Sequence, residues 1–323
     1  MGDTKMTPWV LIDTSYLAYR AMYSMGDLSH EGEPTAVLFG LLEQIRTICT
    51  DPHVNSNRIA LFFDSRQSHR KKTYADYKRK RRQNLEPEKL QAISIMYDQV
   101  KILKREVLPL MGIPSYRQIG LESDDLIAYA ADCLSVGGQD VRGVMITSDG
   151  DLYQCITQQV HWYDPTRRLK YCPTTFYADK GVHPDMWGDV KTLAGCSGDG
   201  VPGIEGVGIK TAVDYLCGNL PETYKRRKAI DSEEGQAVIE RNKGLVKLPH
   251  AKTKPFTLQE PKYSMKGFWK VCEKYGFTSY LQGTRKQNWS RFFSLGQGSG
   301  SPRLRKGRHG KKEVKGQRKG LIV

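Results

Sequence analysis

Short apolar runs that stop at a polar residue recur along this chain. Three of them precede an acidic residue: Trp9–Ile12 (before Asp13), Ile59–Phe63 (before Asp64) and Val144–Ile146 (shortly before Asp149). Runs of this length are typical of buried parallel strands. The stretches between and around them favour helices: Ala36–Cys49, Glu88–Leu110 and Asp124–Leu134. Strands that alternate with helices predict an α/β fold with a mainly parallel central sheet flanked by helices.

The acidic residues that follow these runs are expected to lie at one edge of the sheet. Open parallel sheets place their sites outside the carboxyl ends of the strands. Asp13, Asp64 and Asp149 each stand at such an end. A carboxylate that is buried there without a partner carries a large desolvation penalty, so packing alone does not explain the pattern.

Two acidic clusters are denser than an ordinary surface requires. Glu122, Asp124 and Asp125 follow one another closely, and Asp149 stands two positions before Asp151. Carboxylates this close repel each other unless a cation holds them together, and oxygen-only clusters suit Mg²⁺ or Mn²⁺. The alternative for either cluster is a solvated loop or a helix start, where acidic residues favour the N-terminal dipole.

A basic segment separates the second apolar run from the helix that is predicted to begin at Glu88. It covers 66–82 and holds nine lysines and arginines, with Tyr74 and Tyr77 interleaved. A solvated charged helix is one interpretation. Charges of a single sign repel each other without an anionic partner, and tyrosines can stack on unpaired bases, so we favour contact with nucleic acid.

A glycine-rich turn, Gly203-Ile-Glu-Gly-Val-Gly-Ile-Lys210, leads into a predicted helix over Thr211–Leu216. Glycines let the backbone approach a phosphate, and N–H groups at a helix start attract the anion. The pattern is typical of the hairpin of helix-hairpin-helix modules, which grip one backbone without reading bases. It lacks the GxxxxGK(S/T) spacing of a P-loop, which argues against a nucleoside triphosphate site.

Composition narrows the class of protein further. The chain has 323 residues, a formal charge of +15 and seven cysteines that never form a CxxC pair. Scattered cysteines and no apolar leader at 1–8 predict reduced thiols in the cytoplasm of a bacterium or of a phage-infected host. The net positive charge favours a polyanionic partner. Residues 296–323 are rich in glycine, serine and basic residues and are expected to form a disordered tail.

With these motifs in place, the chain resembles the 5′-nuclease (flap endonuclease) superfamily, in particular bacteriophage-type 5′→3′ exonucleases and the 5′-nuclease domain of bacterial DNA polymerase I. The pattern R-x6-Y-K-x2-R of the family's helical arch is matched by Arg70, Tyr77, Lys78 and Arg81. The resemblance implies a PIN-like α/β core over 1–190, with an arch at about 66–110. A helix-three-turn-helix and C-terminal helical region follows over 191–295.

The resemblance also implies roles for individual residues, all numbered in this sequence. Metal ligands would be the seven carboxylates Asp13, Asp64, Glu122, Asp124, Asp149, Asp151 and Asp199. Catalytic residues would be Lys78, Arg81 and Asp125. DNA contacts would come from Arg20, Arg70, Tyr77, Lys78, Arg81, Gly206, Gly208 and Lys210. The implied cofactors are two divalent ions, Mg²⁺ or Mn²⁺, and a K⁺ ion at the helix-three-turn-helix.

One position departs from the family pattern. The family reads G-D-x-x-D before the hairpin, whereas this chain reads Gly195-Cys-Ser-Gly-Asp199, so Cys196 replaces an acid of the second metal site. A thiol is a poor ligand for Mg²⁺, so we expect weaker binding of the second ion or a preference for Mn²⁺. The region after Leu216 is too short for a polymerase module, so we do not expect one to follow the nuclease region.

These observations predict a metal-dependent 5′→3′ exonuclease or flap endonuclease. It would act on DNA with a 5′ end or 5′ single-stranded flap, in replication, primer removal or repair, with a phage the expected source. We expect a monomer, with RNA–DNA primer duplexes and a single-stranded-DNA-binding protein as further candidate partners. Two alternatives stay open: a junction-binding accessory protein that cuts poorly because of Cys196, and an RNA-directed nuclease of the PIN type.

Overall fold

The central sheet has the mainly parallel architecture that the sequence predicts. The computed structural model describes residues 7–83, 85–136, 138 and 140–295. Within these ranges, six strands form the sheet: β1 (Trp9–Asp13), β2 (Ile59–Phe62), β3 (Ser115–Tyr116), β4 (Gly143–Ile146), β5 (Val160–Asp164) and β6 (Leu169–Tyr171). Their order is β3-β2-β1-β4-β5-β6, and only the edge strand β6 pairs antiparallel to its neighbour.

The register of β1 explains why the acidic residues meet. β1 lies between β2 and β4, with Asp13 opposite Phe62 and Ile12 opposite Ile146. The three strands therefore end at the same level, and the residues that follow each of them project from one edge of the sheet. The predicted arrangement of these strand ends is confirmed.

Helices flank the sheet and build the rest of the chain. Over the described residues they are α1 (Thr14–Ser24), α2 (Ala36–Thr50), α3 (His69–Thr73), α4 (Pro87–Ile102), α5 (Leu108–Met111), α6 (Ser123–Leu134), α7 (Pro173–Lys180), α8 (Trp187–Ala194), α9 (Ile209–Leu216), α10 (Lys225–Asp231), α11 (Glu233–Val246), α12 (Met265–Lys274) and α13 (Gly283–Ser294). No helix in these ranges combines the length and apolar composition that a membrane span requires.

The helix predicted over Glu88–Leu110 is interrupted. α4 ends at Ile102, a π-helical turn covers Leu103–Val107, and α5 follows. Pro109 lies in the first turn of α5 and has no N–H to continue the α-helical pattern, and its ring crowds the carbonyl four residues earlier. A wide π turn before the proline relieves this conflict.

Two hydrophobic cores lie on opposite faces of the sheet. Val10 and Ile12 point into one core, whereas Trp9 and Leu11 point into the other. This alternation follows from the two-residue period of a strand. A sheet that is buried on both faces explains why its strands read as continuous apolar runs.

The last two helices complete the first of these cores. Trp289 of α13 is fully buried, and its ring lies 4.2 Å from that of Phe268 in α12. Tyr280, between these helices, stacks on Phe39 of α2 at 4.6 Å and donates a hydrogen bond of 3.0 Å to its carbonyl oxygen. This core joins residues on both sides of the boundary predicted at residue 190, and the division into domains stays a prediction. The predicted tail, 296–323, lies outside the described residues.

Candidate active site at the carboxyl edge of the sheet

Asp13 and Asp64 are joined by a serine at the start of α6. The N–H and Oγ of Ser123 donate hydrogen bonds of 2.9 and 3.1 Å to Oδ1 of Asp64. The same Oγ lies 3.3 Å from Oδ1 of Asp13. Thr147, just after β4, donates to the other oxygen of Asp13 at 3.3 Å. Both carboxylates are therefore held in fixed orientations at neighbouring strand ends.

Burial and neighbouring negative charges raise the pKa values of several carboxylates at this edge. Burial and the charges of Asp64 and Asp149 raise the pKa of Asp13 to about 7. Burial, followed by the charges of Asp149 and Asp13, raises the pKa of Asp124 well above its usual value. Burial and the charge of Asp151 raise the pKa of Asp149. Negative charges that disfavour one another in this way create a site for a cation.

A second feature of the structure, the environment of Asp124, also indicates a cation site. Oδ1 of Asp124 is buried and has no hydrogen-bond partner among the described residues. An orphaned buried oxygen is uncommon because it loses its hydration without compensation. A carboxylate oxygen is a preferred ligand of Mg²⁺ and Mn²⁺, so the donor set at Asp13, Asp64, Asp124 and Asp149 fits a hard divalent cation.

The basic segment lies over these acids. Nζ of Lys78 is 2.7 Å from Oε2 of Glu122, the N-cap residue of α6, and 3.7 Å from Oδ2 of Asp199. Burial opposes the charge on Lys78, but Glu122 and Asp199 outweigh it and raise the pKa of the amine. Lys78 has a positive φ of 55°, and its N–H donates to the carbonyl oxygen of Asp199 at 2.7 Å. The lysine is thus anchored by both its backbone and its side chain.

Asp199 receives two further contacts from the same segment. Arg81 is half exposed and forms an ion pair with Oδ1 of Asp199. The hydroxyl of Tyr77 lies 3.1 Å from Oδ2 of Asp199 and 3.0 Å from Oε2 of Glu122, and shares its one proton between these acceptors. Tyr77 is only 2% exposed. Its predicted role as a DNA contact does not fit this conformation, because its polar end is turned inward to the acids.

Asp151, on the other side of the site, forms an ion pair with a lysine. Nζ of Lys191, on α8, is 2.8 Å from Oδ1 of Asp151, and both side chains are largely buried. Burial opposes the charge of Lys191, but Asp151 outweighs it and raises the pKa of the amine. Sγ of Cys196 lies 3.7 Å from Oδ2 of Asp151. The ligand atoms of Asp151, Cys196 and Asp199 all lie within 4.8 Å of one another.

Two predicted roles must be corrected. Arg70 and Asp125 are 3% and 0% exposed, and two parallel hydrogen bonds of 2.7 Å join them. Asp125 also accepts the N–H groups of Glu122 and His250. Burial works against ionisation, but Arg70 outweighs it and lowers the pKa of Asp125. Arg70 is therefore internal rather than a DNA contact, and Asp125 supports the start of α6 rather than facing a substrate.

The hairpin lies on an exposed turn between α8 and α9. Gly206, Gly208 and Lys210 are exposed, whereas Ile204 and Val207 are buried and anchor the turn. A Cβ on the adjacent Gly203 would lie 2.3 Å from the backbone of Ala194, so only glycine fits there. The turn is therefore exposed and anchored by its apolar residues, and its grip on a nucleic-acid backbone stays a prediction.

Some residues of the site were not identified from the sequence. Ser123 and Thr147 have a signal, since each stands inside or directly before an acidic motif. Lys191 has none, because its approach to Asp151 depends on how α8 packs. The predicted DNA contact Arg20 lies half buried on α1 and forms no ion pair in the described part of the chain.

An acid-lined site at the carboxyl edge of a parallel sheet, beneath a basic segment, defines a metal-dependent nuclease of the PIN-like α/β class. The sequence profile described as "5′-3′ exonuclease, N-terminal resolvase-like domain" matches residues 8–183, more than half of the chain. The chain belongs to this family. The predicted family membership and the predicted fold class are thereby confirmed.

Individual relatives agree with this assignment. The 5′-3′ exonuclease of Buchnera aphidicola subsp. Schizaphis graminum is 29% identical over 236 residues, which cover 72% of this chain and 78% of that protein. The 5′-3′ exonuclease of Aquifex aeolicus is 32% identical over 208 residues, 64% of this chain and 68% of that one. The flap endonuclease of bacteriophage T5, solved with DNA and metal ions, has a TM-score of 0.59 and 18% identity and covers 90% of this chain and 100% of that one.

Proposed function

We propose that this protein hydrolyses DNA phosphodiesters at 5′ ends and 5′ flaps, as a 5′→3′ exonuclease and flap endonuclease. One observation carries the proposal: the ends of β1, β2 and β4 and the start of α6 bring carboxylates to one edge, directly beneath Lys78 and Arg81. Carboxylates can hold the ions, and basic side chains can hold the phosphate that is cut.

Two groups of residues would hold divalent ions. Asp13, Asp64 and Asp124, with Glu122 directly or through water, would hold the first. Asp149, Asp151 and Asp199 would hold the second. When bound, such ions activate water as a nucleophile and stabilise charge on the attacking and leaving oxygens. A K⁺ ion on backbone carbonyls of the turn before α9 would strengthen its grip on a phosphate.

The chain's own cations bind and orient the substrate. Lys78 stays protonated over the working pH range because its carboxylate partners raise its pKa. Arg81 is half exposed and can rotate from Asp199 to a phosphate oxygen. Both groups would offset the negative charge that develops on the scissile phosphate. The exposed turn at Gly206 and Gly208, with Lys210, would hold the duplex through its phosphates.

The partner would be DNA with a 5′ end or a 5′ single-stranded flap. This agrees with the DNA complex of the T5 enzyme and with the net charge of +15. Backbone contacts do not read bases, so RNA–DNA primer duplexes are included among the substrates. We place the enzyme in the cytoplasm, as a monomer that acts in replication or repair beside a single-stranded-DNA-binding protein.

A cleavage assay tests the proposal. Duplexes with a labelled 5′ flap, a nick or a blunt end are incubated with the enzyme and Mg²⁺ or Mn²⁺, and the product ends are mapped. Asp149→Asn is the matched variant, because it removes one charge from the site with little change in volume. We expect hydrolysis to fall by orders of magnitude while DNA binding is retained. Junction binding without cleavage by the wild-type protein under either metal would favour the accessory-protein alternative.

A further inference from the structure

Three side chains from two segments of the chain converge beside Lys191. Asp151 lies in the 3₁₀ turn Gly150–Cys155, and Asp199 ends the 3₁₀ turn Ser197–Asp199. Cys196 stands between them in the short antiparallel ladder that precedes the hairpin. Their two carboxylates and one thiol have ligand atoms within 4.8 Å of one another, which is close enough for a single ion to touch all three.

The surroundings of Cys196 differ from those of a cysteine that only fills space. Cys49 and Cys272 are fully buried in the hydrophobic core. Cys196 is only half buried, and although its residue packs beside Val201, its sulfur faces Asp151. The sulfur of Cys196 is thus placed among metal-ligand atoms rather than in an apolar environment.

The cluster also attracts positive charge in the structure itself. Lys191 pairs with Asp151, while Lys78 and Arg81 pair with Asp199. Basic side chains thus approach the three ligands from two directions. These basic groups neutralise Asp151 and Asp199 in this conformation, so a metal ion that binds the three ligands has to displace them.

The donor set selects the kind of cation. Mg²⁺ prefers an octahedron of oxygen ligands, whereas a thiolate favours softer ions such as Zn²⁺, Co²⁺ and Cd²⁺. We propose that Asp151, Cys196 and Asp199 form a mixed thiolate–carboxylate site that binds a thiophilic divalent ion, Zn²⁺ as the natural class, and discriminates against Mg²⁺. This inference rests on the proposed function, because the same acids serve the second metal position of the nuclease.

The two metal positions therefore differ in chemistry. The edge at Asp13, Asp64 and Asp124 offers oxygen atoms alone and suits Mg²⁺ or Mn²⁺. The cluster at Cys196 binds its ion through sulfur, and the thiol proton is released to solvent as the metal–sulfur bond forms. The enzyme would respond to thiophilic metals at concentrations that leave an all-carboxylate site unaffected.

Direct metal binding to the full-length, metal-stripped protein tests the proposal. Cd²⁺ or Co²⁺ is added stepwise, and thiolate-to-metal charge-transfer absorption is recorded. We expect one equivalent to produce the absorption in the wild-type protein and in Cys217→Ser, which removes an exposed thiol elsewhere. Cys196→Ser should lose it, and its affinity for Cd²⁺ should fall by at least the roughly tenfold that loss of an outer-shell partner costs.

A second variant keeps the result interpretable. Cys196→Asp should lose the absorption, bind Mg²⁺ more tightly than wild type and exchange Cd²⁺ for Mg²⁺ readily. Equal absorption and equal Cd²⁺ affinity in wild type, Cys196→Ser and Cys196→Asp would overturn the inference. The flap assay is run with Mg²⁺ or Mn²⁺, each with and without added Zn²⁺, and separates the two claims: cleavage with no sulfur–metal absorption refutes this site alone, whereas absorption without cleavage under every metal condition refutes the proposed function alone.

Discussion

Arg70 and Asp125 form a closed, bidentate ion pair beneath the catalytic edge, with both hydrogen bonds at 2.7 Å. The pair joins α3, at the base of the basic segment, to the first turn of α6, where Asp125 accepts the N–H of Glu122. The position of Glu122, and through it of Lys78, thus depends on an arginine that never reaches the surface in this conformation.

We predict that Arg70→Ala is a stability mutation. Removing one partner leaves Asp125 charged and buried, which costs about 3–5 kcal/mol in the free energy of unfolding. Urea unfolding of the metal-free protein measures this loss. Arg66→Ala, on the same segment but exposed, is the matched control and should change stability by less than about 0.5 kcal/mol. Unchanged stability with weaker DNA binding would restore the role of Arg70 as a DNA contact.

Lys78→Ala should slow hydrolysis at saturating metal and substrate. The ammonium group lies at the acids, where it would offset charge on the phosphate, and loss of one such donor costs about 100- to 1,000-fold in turnover. Single-turnover cleavage of a 5′ flap gives the rate. Lys80→Ala is the control, since Lys80 is exposed two positions away. Equal rates for the two variants would contradict the role of Lys78.

The metal-free protein should lose stability as the pH rises from about 4 to 8. Asp13 has a pKa of about 7 in the folded chain against 3.8 when unfolded, so the folded state holds the proton more tightly. The contribution of Asp13 to the free energy of unfolding is complete below pH 4 and disappears as the pH passes 7. The free energy of unfolding changes by about 1–4 kcal/mol over this range. Thermal unfolding at several pH values measures it.

Mg²⁺ binding and the variant Asp13→Asn test this pH dependence of stability. Mg²⁺ should raise the melting temperature more at pH 8 than at pH 5, because at low pH it must displace the proton. Asp13→Asn cannot titrate and should flatten the profile. An identical pH dependence in wild type and Asp13→Asn would show that other groups cause it.

Lys210→Ala should weaken duplex binding without changing which sequences are bound. A lysine that contacts a phosphate contributes about one unit to the slope of log K against log salt. Binding of a nicked duplex at several salt concentrations gives that slope. Lys270→Ala, an exposed lysine on α12, is the control and should leave it unchanged. If the slope of log K against log salt is the same in Lys210→Ala as in the wild type, Lys210 does not contact the DNA.

The sequence is informative about the sheet edge and much less so about what covers it. Apolar runs before Asp13 and Asp64 locate their strands because buried parallel strands carry no polar positions. Arg70 and Asp125 each read as surface residues, since charge in a sequence does not reveal that two groups neutralise each other inside. The inward turn of Tyr77 is invisible for the same reason, because it depends on a tertiary contact with Asp199.

The periodicity of apolar residues also does not predict which distant elements pack together. α13 reads as a polar helix with a few aromatic residues, yet Trp289 is fully buried beneath α2. The sequence predicts helical structure there but not its partner, because apolar spacing identifies a buried face without identifying what it meets. Comparison with the family pattern was needed to recognise that Cys196 stands where the family has an acidic residue of the metal site.

The packing of α13 has a consequence for how the enzyme is made. The matched nuclease region, 8–183, relies on Phe268, Trp289 and Phe293 to fill the space beneath α2. A ribosome has therefore synthesised nearly every described residue before this core can close.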